Sequence, residues 1–242
     1  MDYTKYFSAL RQVESYDEQN ALSLAIACDL AYEDNEDVLA RVIKNCGYSL
    51  IGFRSIVKEP DIHTQYYVMA NEENVVIVFR GSDDLNDWLG NFQAVYDPGP
   101  LEGTKVHEGF QDALFPALIG LTNLVDTAEL NHKKLWITGY SLGGALSSIC
   151  AGMLMENGYP VYGLYTFASP RPGNASFQEQ LNAKVSGPHF RVVNTGDVIP
   201  HIPPEPFYSH PGKRVILNKG VCPVGLLPSC FAFLQYVIFY LQ

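Results

Sequence analysis

Apolar positions along this chain follow two periods. Leu22, Ala25, Ile26 and Leu30 recur at helical spacing within residues 20–32, and Val38, Val42 and Ile43 repeat it within 37–46, which predicts two covering helices. Residues 48–53 alternate as a half-buried strand does, and residues 65–70 predict a second strand. Val75-Val76-Ile77-Val78-Phe79 is an unbroken apolar run, the pattern of a strand covered on both faces, and Asn71-Glu72-Glu73-Asn74 before it predicts a hairpin turn. Asp97-Pro98-Gly99-Pro100 reads as a turn or loop, and a long helical pattern then continues to Asp126 with a kink expected at Pro116. Residues 134–138, 161–167, 190–194 and 214–217 predict further strands, with helices over 145–155 and 177–183. Strands alternating with helices imply an α/β fold with a mostly parallel central sheet covered on both faces.

Length and composition restrict what such a fold can be. With 242 residues and 47% hydrophobic content the chain can bury a substantial core, so residues 1–219 are expected to form a single α/β domain. A net charge of −10 argues against sequence-independent nucleic-acid binding and against attraction to anionic membranes, and leaves a neutral substrate or a neutral lipid surface open. Five scattered cysteines without a Cys-x-x-Cys pair favour thiols over disulfides. No His, Cys or Asp cluster has ligand spacing, so neither metal nor organic cofactor is expected. The N-terminus lacks the basic and apolar regions of a secretory signal, which makes the cytoplasm the default expectation, with membrane-surface association as the alternative.

The chemistry gathers at Gly139-Tyr140-Ser141-Leu142-Gly143. A serine between a strand and a helix, in Gly-x-Ser-x-Gly spacing, sits on a strained turn with its hydroxyl clear of the sheet. The helix behind it aims amides and a positive dipole end at the serine, so an anion forming there is stabilised. Ser141 is therefore the candidate nucleophile. Such a site needs a second donor from the loop after an earlier central strand, and Ser82 is placed to join the Leu142 amide as an oxyanion hole. The same Ser82 position also suits a helix N-cap. Asp197 follows a later strand, where the carboxylate that orients a histidine base belongs; a capping aspartate is its alternative. Leu85, Trp88, Leu89 and Phe92 form an apolar stripe at i, i+3, i+4, i+7, readable as a lid beside the cleft or as a helix face packed on the core.

Taken together, Val78-Phe79-Arg80-Gly81-Ser82, Asp87-Trp88, Val106-His107-Glu108-Gly109-Phe110, Thr138-Gly139-Tyr140-Ser141-Leu142-Gly143-Gly144-Ala145, Phe167-Ala168-Ser169-Pro170-Arg171-Pro172-Gly173-Asn174 and Asp197-Val198-Ile199-Pro200 resemble the class 3 (fungal-type) lipases of the α/β-hydrolase superfamily. The resemblance covers about residues 65 to 212. It implies a triacylglycerol lipase or esterase with Ser141 as nucleophile, Asp197 as acid, Ser82 and Leu142 as oxyanion donors and a lid around Trp88. His107 matches a family position that looks structural.

The chain departs from the family pattern after residue 212. The family's catalytic histidine follows one more strand, here 214–217, and no histidine follows that strand. His201 and His210 are the histidines after Asp197, and His210 is the candidate base, although the prolines at 200, 203, 204, 206 and 211 favour an extended path away from Asp197 unless the loop folds back. Residues 220–242 carry no charge and end in an apolar run. This tail reads as a membrane-surface anchor, a buried terminal element, or unrelated sequence joined by truncation or frameshift of a longer lipase. The coincident loss of histidine and charge favours the last. A catalytically impaired lipid-binding protein on the lipase scaffold is the competing function.

Overall fold

The computed structural model describes residues 3–58, 62–82, 93–217, 238 and 241. Two helices open the domain, α1 (Glu18–Leu30) and α2 (Glu36–Asn45), each begun by a side-chain cap. Asp17 accepts from the Asn20 amide and Asn35 from the amides of Asp37 and Val38, satisfying donors that a helix start leaves open. Strands β1 (Ser49–Lys58), β2 (Ile62–Ala70) and β3 (Asn74–Phe79) follow as an antiparallel meander, with the hairpin turn where 71–74 predicted it. Next come β4 (Tyr96–Pro98), β5 (Lys105–His107) and α3 (Glu108–Thr127), then β6 (Lys134–Tyr140), α4 (Leu142–Glu156), β7 (Val161–Phe167), α5 (Ala175–Lys184), β8 (His189–Asn194) and β9 (Lys213–Leu217). Pro116 lies inside α3.

Seven strands form one sheet in the order β1-β2-β3-β6-β7-β8-β9, parallel from β3 onward. The strand β3 shows why an unbroken apolar run belongs at the centre: all six of its residues are buried, and the five apolar ones divide between two cores. Val76 and Val78 pack with α1, Trp136 and Tyr165, whereas Val75, Ile77 and Phe79 pack with α3 and α4. Helices thus cover both faces, as the alternating pattern implied. Residues 97–100, expected as loop, instead begin within a two-stranded ribbon, where Tyr96 pairs with His107. Three residues per strand are too few to register as a periodic signal.

The two described tail residues, Ile238 and Leu241, join the core on the α1 face, with Ile238 fully buried. The rest of 220–242 and the expected lid stripe, Leu85, Trp88, Leu89 and Phe92, lie outside the described residues. Cys28, Cys46 and Cys150 are thiols, and burial pushes Cys28 up to about 12. Among the described residues no helix is long and apolar enough to cross a membrane.

Candidate active site

Because β3, β6 and β8 run parallel, their C-terminal ends emerge along one edge of the sheet, the place where ligands bind in open α/β sheets. Ser82, Ser141 and Asp197 each follow one of these ends. Between β6 and α4 the chain reverses at Ser141, with φ 53° and ψ −125°, a left-handed φ that a residue with a side chain adopts only when its surroundings impose it. The surroundings are glycines. A Cβ on Gly139 would stand 2.1 Å from the Gly143 carbonyl oxygen, and one on Gly143 would stand 2.4 Å from the Phe79 carbonyl oxygen. On Gly144 it would meet Ser169 Cβ at 2.7 Å. The Ser141 amide is tied to the Phe167 carbonyl at 2.9 Å, so β7 also holds the turn.

Ser141 occupies the N-cap of α4 but makes no cap bond. In α1, α2 and α5 an Asp or Asn side chain does cap the helix; in α5 it is Asn174 on the Phe177 amide. The Ser141 hydroxyl is buried and has no hydrogen-bond partner among the described residues. An orphaned buried hydroxyl costs free energy, and it leaves an oxygen uncommitted at a helix start where developing negative charge is favoured.

The loop after β3 closes over this serine. A Cβ on Gly81 would stand 3.4 Å from Ser141 Cβ, 2.7 Å from the Tyr140 carbonyl oxygen and 2.7 Å from the Tyr32 hydroxyl oxygen. Gly81 therefore brings Ser82 to the residue beside the nucleophile candidate, while Leu142 follows it in the chain. Arg80 fixes the loop from behind: its Nη1 donates to Asp34 and Gln65, each at 2.8 Å, and its guanidinium lies 4.9 Å from the centre of the Tyr32 ring. Sequence reasoning missed Tyr32. It lies two residues past the end of α1, and only the fold brings its hydroxyl to Gly81.

Asp197 sits in the turn after β8, its Oδ1 accepting from the Ile199 amide at 3.0 Å. Burial pushes this carboxyl up to about 6, against the stabilising Ile199 bond and the nearby His201 charge. The Pro-rich loop does fold back. His210 returns to this turn, its Nε2 2.7 Å from the Pro200 carbonyl oxygen, and no hydrogen bond joins it to Asp197 or Ser141. Burial, then the positive charge of Arg191, pushes His210 down to about 3, so in this position the ring is neutral and a weak base, and its move away from Arg191 and Pro200 has to precede any proton transfer. Arg171 pins the loop, with Nη1 donating to the carbonyls of His201 at 2.6 Å and Pro203 at 2.8 Å. His107 is buried against the Phe110 ring, centroids 4.2 Å apart. Among the described residues no three His, Cys, Asp or Glu side chains converge on a common point as cation ligands do.

The pattern of residues 76–207 matches the family model for lipase (class 3), which covers more than half of the chain. The chain belongs to the class 3 lipase family. Within it, this lipase-family chain is 35% identical over 157 residues to a lipase of Rhizomucor miehei, covering 60% of the chain and 42% of that protein. It is 32% identical over 152 residues to secreted mono- and diacylglycerol lipase 1 of Fusarium solani, covering 61% of the chain and 45% of that protein. The chain thus spans less than half the length of either relative. The solved structure of Rhizomucor miehei triacylglyceride lipase superposes with a TM-score of 0.70 at 26% identity, over 85% of this chain and 82% of that one. The seven-stranded sheet and its helices are accordingly the α/β-hydrolase fold.

Proposed function

We propose that this class 3 lipase chain is a serine carboxylic-ester hydrolase acting on a neutral lipid or ester, most simply an acylglycerol. The observation that carries the reading is the Ser141 turn: a strained backbone, an uncapped helix start and a hydroxyl with no other employment. In this scheme Ser141 Oγ attacks the ester carbonyl carbon, its proton passes to a histidine held by Asp197, and the amides of Ser82 and Leu142 stabilise the tetrahedral oxyanion. Collapse expels the alcohol, which takes the proton, and water then cleaves the acyl-enzyme by the same steps reversed. The base we assign is His210. To act, its ring must exchange the Pro200 carbonyl for Asp197 and Ser141, so a rearrangement of the 198–210 loop belongs to the proposal. The Leu85, Trp88, Leu89 and Phe92 stripe is assigned as the lid that meets lipid, and the domain is assigned to 1–219 with 220–242 as its tail.

The test is hydrolysis of short- and long-chain p-nitrophenyl esters by the chain beside Ser141→Ala and His210→Ala. Both substitutions are expected to lower kcat/KM by about 10⁴-fold, since members of a triad act as a unit. Loss in Ser141→Ala alone transfers the base to another group. A folded parent without activity overturns the enzyme reading in favour of a lipid-binding scaffold.

A further inference from the structure

Strands β8 and β9 bring two arginines together, and among the described residues neither makes an ion pair with a carboxylate. Arg191 and Arg214 are direct register partners in the parallel pair. Phe190, Val192 and Val215 pack into the α1-side core, so the alternation of each strand sends Arg191 and Arg214 to the opposite face. That face is crossed by the 200–212 loop, which is tied down where the Gly212 amide donates to Asn182 of α5 at 2.8 Å. Arg191 is half-buried and its Nε is buried with no hydrogen-bond partner among the described residues. Burial pushes its guanidinium down to about 10, reinforced by the charges of Arg214 and Arg171 and opposed by Glu205. Glu205 is spent elsewhere: its Oε1 takes Arg171 Nη2 at 3.0 Å, and its side chain is 70% exposed.

Like charges directly opposed on neighbouring strands destabilise a sheet, and an arginine cannot relieve the conflict by losing its proton. A compact anion with several oxygens is the ligand that does, because each guanidinium presents a planar fork of donors. We propose that Arg191 and Arg214 form a site for a phosphate group on the α5 face of the β8–β9 edge. The group reaches it as inorganic phosphate or on a phospholipid head. The site does not rest on the ester-hydrolase reading. It does adjoin the loop carrying Asp197 and His210, so an occupant bears on how that loop is held.

The experiment is thermal unfolding of the full chain with and without inorganic phosphate, against sodium chloride at equal ionic strength. Phosphate at tens of its Kd is expected to raise Tm by about 4–8 °C. Arg214→Gln removes the response, and Arg214→Glu, which supplies an internal carboxylate, raises Tm without phosphate and also removes the response. Arg214 is exposed, so neither change threatens folding. Co-sedimentation with phosphatidylcholine vesicles, with or without phosphatidic acid, separates the sources: retention by phosphatidic acid that Arg214→Gln abolishes assigns a lipid head, and no retention beside a thermal response assigns the inorganic ion. Equal Tm in phosphate and chloride, or a response unchanged in both variants, overturns the proposal.

Discussion

The β6–α4 turn and the loop between β8 and β9 both carry groups assigned to catalysis, yet they are held by opposite means. Around Ser141 the constraint is local and made of backbone: Gly139 lies against Gly143, Gly143 against Phe79, and the Ser141 amide against Phe167. Nothing there depends on a long side chain. In the loop from 195 to 212 the constraints come from far along the chain, through Arg171 on the His201 and Pro203 carbonyls, Gly173 on the Ser209 amide and Asn182 on the Gly212 amide. The first region is rigid by construction and stays set at its strained φ. The second is a set of separate ties, each removable, which suits a segment that must move before His210 can serve Ser141.

If that contrast is right, damage should be largest at the turn. Gly139→Ala puts a methyl 2.1 Å from a backbone oxygen that cannot swing aside. The expected loss is about 3–5 kcal/mol, or failure to fold, measured by urea denaturation with near-ultraviolet circular dichroism to report the packing. A loss below about 1 kcal/mol breaks the comparison, since it means the turn can relax.

Arg171→Ala should do less to the whole and more to one part. Two charge-assisted bonds to carbonyls are lost, worth about 2–3 kcal/mol together, while the ion pair to exposed Glu205 adds little. Limited proteolysis is expected to shift to residues 198–212 while the rest of the domain stays protected. Glu205→Gln, by contrast, should change stability by under about 1 kcal/mol. Uniform proteolysis of Arg171→Ala would show the loop and domain to be one unit.

The same division explains what was legible from sequence. The sheet's central strand could be read because five successive buried positions, Val75 to Phe79, are all apolar, and the Ser141 turn because its glycines are close neighbours in the chain. The return of His210 to Pro200 could not be read: the prolines argue for extension, and the ties that reverse the loop come from Arg171, Gly173 and Asn182. Tyr32 escaped for the same reason, since its place at Gly81 exists only once α1 and β3 are docked. The β4–β5 ribbon was missed because three-residue strands carry no period.

The finest test of the loop comes from its two half-buried titratable groups. Asp197 has a folded value of about 6 against roughly 3.9 unfolded, so the native state binds that proton more tightly. Its contribution is a penalty, absent below about pH 4, growing as pH rises to 6 and constant above, worth about 1–2 kcal/mol after allowing for partial exposure. His210 has a folded value of about 3 against roughly 6.5, so the unfolded chain binds that proton and stability falls as pH drops below 6.5. Between pH 4 and 6 the two slopes oppose each other. Asp197→Asn should therefore raise stability at pH 7 by about 1–2 kcal/mol and leave a steeper loss towards pH 4.5, seen in urea titrations at both values. Were Asp197→Asn instead to destabilise the chain at pH 7, the Ile199 amide would be gaining more from the charged carboxylate than burial costs it. The turn that presents Asp197 would then be built to hold an anion in place, as the Ser141 turn is built to receive one.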